Sequence, residues 1–169
     1  MKISKLFLNI EHEEKWINDM SAKGYRLVGK NIFSYEFEKN ESDRKFRYYV
    51  DQRGLSKDNG EFVRFLDELN IRLIKKQLGF YYFEADAANE VQGIYTDAKS
   101  KKELYFRCIL FLFVIGLLNI SIINHANGPY IFNLSIPILV NGIVLLLVVV
   151  EMINYLKKVI LLSSKRTCK

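Results

Sequence analysis

Few side chains in this sequence are of kinds that do chemistry, and their spacing limits what they can do. There are two histidines, His12 and His125. His12 stands among Glu11, Glu13 and Glu14 near the start of a helical pattern, where an imidazole is a solvated helix-end residue. His125 lies in the run Asn124-His125-Ala126-Asn127-Gly128-Pro129, as a loop residue, with pH sensing as its functional counterpart. Neither has a second histidine or a cysteine at ligand spacing, so no metal site is expected. Glu13-Glu14 and Asp67-Glu68 are adjacent acids on helical stretches and read as solvated faces, not acid–base pairs. The chain has no P-loop, no dinucleotide fingerprint and no nucleophile elbow. Cys108 sits in an apolar stretch and Cys168 is next to last, which gives neither a disulfide framework nor a prenylation box. The expectation is a protein that is not an enzyme, with no catalytic residue and no cofactor.

Charge and hydropathy divide the chain. Through Glu103 there are 19 basic and 18 acidic residues, while the remainder has six basic residues against the single acid Glu151. The net charge of +6 therefore collects around apolar segments, where it bears on membrane orientation. A near-neutral first part also argues against nucleic acid as a partner, because phosphate binding needs a clear basic excess. Leu104 to Ile123 and Ile136 to Tyr155 are each about 20 residues, roughly 30 Å as helix, enough to cross a bilayer core. Lys99, Lys101, Lys102 and Arg107 flank the first span, Lys157 and Lys158 follow the second, and the turn between them lacks full charges. By the positive-inside rule both termini are cytoplasmic, with membrane lipid as one partner. The expected organisation is a soluble domain at 1–84, a linker at 85–103, a membrane hairpin at 104–156 and a basic tail at 157–169. Within the hairpin, Arg107 and Glu151 share one depth and are expected to pair or snorkel together. Asn119 and Asn141 share another, where a hydrogen bond between helices would hold the hairpin.

An internal repeat organises the first part. Shifting the sequence by 46 residues brings Trp16, Ile17 and Met20 onto Phe62, Val63 and Leu66, and Arg26-Leu27-Val28 onto Arg72-Leu73-Ile74. Lys30 falls on Lys76, and Tyr35, Phe37 and Glu38 fall on Tyr81, Phe83 and Glu84. Each half reads strand, helix, strand: Lys2 to Leu8, Glu11 to Lys23 and Tyr25 to Glu38, then Phe46 to Gln52, a helix capped by Asp58 or Asn59, and Ile71 to Glu84. Gly24 is a natural stop for the first helix, and Phe62, Phe65, Leu66 and Leu69 form the apolar face of the second. Two such units give an α+β, ferredoxin-like βαββαβ sheet. The other reading makes each long return segment a hairpin, for six shorter strands.

The stretches Lys5-Leu6-Phe7, Glu14-Lys15-Trp16-Ile17-Asn18-Asp19-Met20, Lys23-Gly24-Tyr25-Arg26-Leu27 and Tyr35-Glu36-Phe37-Glu38 resemble the bacterial family known as domain of unknown function 2812. The resemblance covers roughly residues 2–84. It implies a bacterial plasma-membrane protein with C-terminal spans and a regulatory role beside PadR-type repressors, and it brings no catalytic residues.

The aromatic residues give the remaining clue. With Phe33, Tyr35, Phe37, Phe46, Tyr48, Tyr81 and Phe83 facing the helices, strand alternation sends Phe7, Tyr49, Phe80 and Tyr82 to the opposite face. In a ferredoxin-like sheet that face has no helix over it. Such a patch suits a protein partner or self-association; it also suits a structural cover by the linker after Ala85 or the membrane surface, base stacking on single-stranded RNA, or a small amphipathic ligand. The expected function is a membrane-tethered, non-enzymatic regulatory or adaptor protein. The principal alternative is an accessory subunit of a larger membrane complex such as a transporter.

Overall fold

A computed structural model describes residues 1–42, 44–54, 59–88, 94–95, 97–126 and 135–164, without the side chains of 122–126 and 135–138. The Asp58 cap, most of the turn that includes Asn127, the His125 side chain and Cys168 lie outside this description. The chain forms two units, Met1–Ser100 and Lys101–Lys169. The first contains β1 (Lys2–Ser4), α1 (Ile10–Ala22), β2 (Tyr25–Asn31), β3 (Ser34–Lys39), β4 (Phe46–Gln52), α2 (Gly60–Glu68), β5 (Ile71–Gln77) and β6 (Phe80–Asp86). Two long helices follow, α3 (Ala98–Ala126) and α4 (Ser135–Ser164).

The repeat of 46 residues recurs in the fold. Strands β2 and β5 have equivalent bounds, and each pairs with the next strand through a register shift at the same place, Leu27/Gly29 and Leu73/Lys75. Both helices are followed by a residue in the left-handed region, Gly24 at φ 85° and Asn70 at φ 58°, types that tolerate it. The aromatic packing recurs as well. Trp16 meets Phe37 edge-on at 5.6 Å, and Phe62 meets Phe83 at 6.1 Å. Tyr35 stacks on Phe37 at 6.4 Å, and Tyr81 on Phe83 at 6.2 Å.

The strands do not form one ferredoxin-like sheet. Each return segment folds back as a hairpin, so six strands make two antiparallel sheets, ordered β1-β3-β2 and β4-β6-β5. The reversals lie at Ile32-Phe33 and Leu78-Gly79. At the second, both residues have positive φ, as a type I′ hairpin turn requires, and a Cβ on Gly79 would stand 2.8 Å from the Gly54 backbone. Phe33, expected in the core, is exposed at its turn, and Phe65 on α2 and Leu69 just after it are exposed, the helix packing through Phe62, Val63 and Leu66.

Pairing sets which face each β4 residue shows. Tyr49 lies opposite Phe83 and Tyr48 opposite Glu84, so Tyr49 joins Leu66, Ile71, Tyr81 and Phe83 in the core beneath α2. A shift of one residue exchanges the faces of a strand, which is why Tyr49 and not Tyr48 faces the helix. Ile94 packs against the same core, and the Tyr95 hydroxyl donates to the fully buried Asp51 at 2.6 Å. The segment before α3 is thus fastened to the first unit at these residues. The other face of the second sheet meets the first repeat, where α1 lies against β4 and β2 against β5. Covered on both faces, β4 and β6 are buried almost continuously, as strands in doubly covered sheets are.

Helix α1 also closes the edge of the second sheet. Asn9 caps it, its Oδ1 accepting from the backbone N–H groups of Glu11 and His12. One polar stripe, Glu14, Asn18 and Ser21, then runs along the outer edge of β4. Asn18 accepts from Tyr48 N–H at 2.9 Å and donates to Tyr48 C=O at 2.9 Å. Glu14 accepts from Val50 N–H at 2.8 Å, and Ser21 donates to Phe46 C=O at 2.7 Å. Alternate residues of a strand turn their backbone groups to the same edge, so the stripe replaces a neighbouring strand and blocks open-edge pairing.

In the second unit α3 and α4, of 29 and 30 residues, are each long and apolar enough to cross a membrane. They pack through Leu104, Tyr105, Cys108, Leu112, Val148 and Tyr155, which are buried, and Gly116 admits Leu145 and Val148. Other apolar residues on both helices, among them Leu110, Leu117, Leu146 and Ile160, are exposed. Helix α4 continues through Lys157 and Lys158 to Ser164, so the first part of the expected tail is helical.

Candidate functional site

Two polar clusters join the repeats inside the first unit. In one, the carboxylate of Glu13, 5 % exposed, accepts at Oε1 from the hydroxyls of Tyr35 at 2.5 Å and Tyr82 at 2.7 Å. Buried Lys30 places its ammonium 4.0 Å from the Tyr35 ring centroid and donates to the carbonyls of Asn31 and Ile32. Burial pushes the Glu13 carboxyl above its ordinary range, against the pull of both tyrosine hydrogen bonds and of Lys30. Burial also pushes the Lys30 ammonium down and both tyrosine hydroxyls up, so the hydroxyls stay neutral donors.

Such shifts often mark a functional site, but the second repeat gives a structural account. Asn59 occupies the position of Glu13, and its amide donates to the Tyr81 hydroxyl at 3.0 Å. Lys76, equivalent to Lys30, stands 5.0 Å from the Tyr81 ring. A lysine over a tyrosine tied to the helix start is therefore a framework feature of each repeat. Glu13 adds a bond to Tyr82, which belongs to the other repeat.

The second cluster centres on Glu84. Its Oε1 accepts from Arg26 at 2.7 Å and Arg72 at 2.9 Å, and its Oε2 from Arg26 at 2.8 Å and the Tyr48 hydroxyl at 3.2 Å. Tyr48 oxygen in turn accepts from Leu27 N–H. Arg26 and Arg72 are equivalent in the repeat, so one carboxylate collects the same arginine from both halves. Burial alone would raise the Glu84 carboxyl, but the guanidiniums outweigh it and hold it below its ordinary value. Both clusters do structural chemistry: they fix one repeat against the other.

The accessible site lies beside them. A cleft of about 670 Å³ opens where α1 ends and β4 begins. Asn18, Ser21 and Gly24 form one wall, and Arg44, Lys45, Phe46 and Arg47 the other. The three cations are exposed, and among the described residues the one lining carboxylate, Glu14, is bonded to Val50. The cleft therefore favours an anionic occupant with an apolar contact to half-buried Phe46.

The four residues expected on an open aromatic face are placed otherwise. Phe7 lies beyond β1 with its ring 5.4 Å from Trp16 and 6.2 Å from Tyr35, on the helix side. Tyr49 is in the α2 core, Tyr82 is buried against Glu13, and Phe80 is half-buried at the start of β6. They form no common exposed surface, because α2, with Ile94 beside it, covers one face of the second sheet and the first repeat meets the other. Arg107, Glu151, Asn119 and Asn141 are all half-buried on α3 and α4. Asn119 donates to Ile115 C=O on its own helix, and Glu151 accepts from Asn154 at 3.4 Å.

The sequence reading missed the joints at Glu13 and Glu84 and the stripe along α1. One signal was present: Arg26 and Glu84 are both repeat-matched positions, and a charge kept twice at a strand position has a partner to meet.

A family model described as protein of unknown function (DUF2812) matches residues 9–117. No curated protein and no solved structure matches the chain. The match starts at the Asn9 cap, takes in both helices and both hairpins of the repeat pair, and continues into the first apolar helix. It covers well over half of the sequence, so the chain belongs to the DUF2812 family.

Proposed function

We propose that the protein is a membrane-tethered, non-enzymatic regulatory or adaptor protein whose first unit binds an acidic segment of a protein partner. In this reading α3 and α4 cross the bacterial plasma membrane as a hairpin, and both termini and the α+β unit lie in the cytoplasm. The observation that carries the binding role is the cleft at the α1–β4 junction, with three exposed cations around Phe46. The short connection supports a tethered unit: Tyr95 is hydrogen-bonded to Asp51, and the first apolar stretch begins at Leu104. A PadR-type repressor is the first partner to test.

The test is co-purification from native membranes in mild detergent. Arg44→Glu, Lys45→Glu and Arg47→Glu combined should abolish recovery of the partner while leaving the melting temperature close to wild type. Unchanged recovery would exclude the cleft, and recovery only of a polytopic membrane protein would favour the accessory-subunit reading.

A further inference from the structure

We propose that the two hairpin tips of the first unit, Ile32-Phe33 and Leu78, rest on the bilayer surface and reach the boundary between headgroups and acyl chains. The proposal rests on the membrane-spanning reading above.

The tips break the local rule for their positions. Two-residue turns favour glycine, asparagine and aspartate, yet the first carries Ile32 and Phe33 and the second opens with Leu78. These three side chains are 45 %, 63 % and 53 % exposed. Leu78 also stands at φ 49°, a left-handed conformation that a side chain with a Cβ adopts at a cost. Ile32 and Leu78 are equivalent under the repeat, so an exposed aliphatic residue occurs twice at a turn where folding favours a polar one.

Both tips lie at one end of the unit. Glu13 accepts from Tyr35, next to Ser34 at the first tip, and from Tyr82, two residues past Phe80 at the second. At the other end Arg26 meets Glu84 and Ser21 meets Phe46. Lys5 N–H donates to Phe33 C=O at 3.1 Å, which adds exposed Leu6 to the tip end.

The chain leaves toward the first apolar stretch from the same end. Arg53 N–H donates to Gly79 C=O at 2.9 Å, and Asp51, opposite Tyr81 in the sheet, holds the Tyr95 hydroxyl. Leu104 stands nine positions after Tyr95, at most about 32 Å of chain even if fully extended. Exposed apolar tips held within that reach of a bilayer have lipid as their nearest apolar phase. The Lys5 ammonium lies over the Phe7 and Trp16 rings and that of Lys30 donates to the tip carbonyls, so the contact is apolar and calls on no free cation. The cleft at Phe46, at the opposite end, stays open.

Tryptophan fluorescence of the full chain in phosphatidylcholine vesicles, with bromine on the acyl chains near the headgroup, tests this once the Trp16 signal of the wild type is subtracted. Phe33→Trp should be quenched by the brominated lipid, and Glu38→Trp, exposed at the far end of β3, should not. Adding Ile32→Ser and Leu78→Asn should lower the quenching at position 33, whereas salt at about 1 M should leave it unchanged. Leu78→Asn alone should hold or raise the melting temperature, because Asn-Gly suits this turn. Equal quenching at both positions, quenching abolished by salt, or a Leu78→Asn protein of lower melting temperature would overturn the proposal. So would a Phe33→Trp emission that is blue-shifted but unquenched, which would assign the tip to a protein contact. Alkaline carbonate extraction separates this from the underlying reading: release from membranes overturns the spans, whereas a protein that stays with Phe33→Trp unquenched overturns the tip contact alone.

Discussion

Glu13 and Glu84 are both buried carboxylates, yet their surroundings push them in opposite directions, and this makes their roles separable. Glu84 is held below its ordinary value of 4.5, so its contribution to stability is present at neutral pH and is lost as pH falls through its folded value. Glu13 is raised, so its contribution is largest below the ordinary range and is lost as pH rises through its folded value. Glu84→Gln should therefore cost about 2–3 kcal/mol near neutral pH and little in acid, the loss moderated because Arg26 and Arg72 can return to water. Glu13→Gln keeps an oxygen for both tyrosine hydroxyls and should gain on the wild type as pH rises from acid to neutral. Melting curves of the full chain in detergent across pH check both; a Glu84→Gln deficit that grows toward acid would contradict the assignment. These pairings could not be read from the sequence, since Glu84 meets Arg26 across 58 residues and Glu13 meets Tyr82 across 69. Composition shows which charges exist, and only the packing of one repeat on the other shows which are buried.

At the scale of elements, α1 carries more than its apolar face. Its core side, Ile17 and Met20 with Trp16 beside them, was legible from helical spacing, whereas Glu14 read as a solvated position and nothing in the spacing singled out Asn18 or Ser21. They are the lateral cap of β4. Asn18→Ala removes both partners of the Tyr48 backbone and should cost about 2–4 kcal/mol, against at most about 0.5 kcal/mol for Asp19→Ala on the exposed side. It should also raise light scattering on mild heating, because an uncapped edge strand recruits other chains. An Asn18→Ala protein as stable as Asp19→Ala would show that the stripe is incidental. The helix ends give an independent check of the repeat: Gly24→Ala should cost about 1 kcal/mol at its positive φ, and Asn70→Gly should be neutral or slightly stabilising, by chemical denaturation. The repeat itself was visible in the sequence, but its strand count was not. A long extended segment and a tight hairpin show the same alternation, and the reversals at Ile32-Phe33 and Leu78-Gly79 carry only one glycine between them. The β4 face was misassigned for a related reason: in a run such as Tyr48-Tyr49 both faces look apolar, and the partner strand alone decides the register.

For the whole molecule, the apolar helices were the most legible feature, because a run of about 20 apolar residues needs no tertiary information to be recognised. In a Cys108→Ser, Cys168→Ser background, Asn127→Cys should be labelled from outside by a membrane-impermeant maleimide in intact cells. Glu61→Cys on α2 should be labelled only after lysis, and the reverse pattern would contradict an inside-facing α+β unit. The proposed partner surface was the least legible feature. Of the aromatic residues that pointed to it, Tyr49 is buried under α2, Tyr82 is buried against Glu13, and Phe7 and Phe80 are half-buried, while the accessible cleft is built from polar and basic residues that any solvated surface carries. The central claim, a tethered unit that binds an acidic partner segment at the α1–β4 cleft, is tested most directly by photocrosslinking in living cells. A photoreactive residue at Arg47 should give a discrete protein adduct that an Arg44→Glu, Lys45→Glu background removes and that the same residue at Glu68 does not form. An adduct equally strong from both positions, or one that persists after charge reversal, would contradict the account.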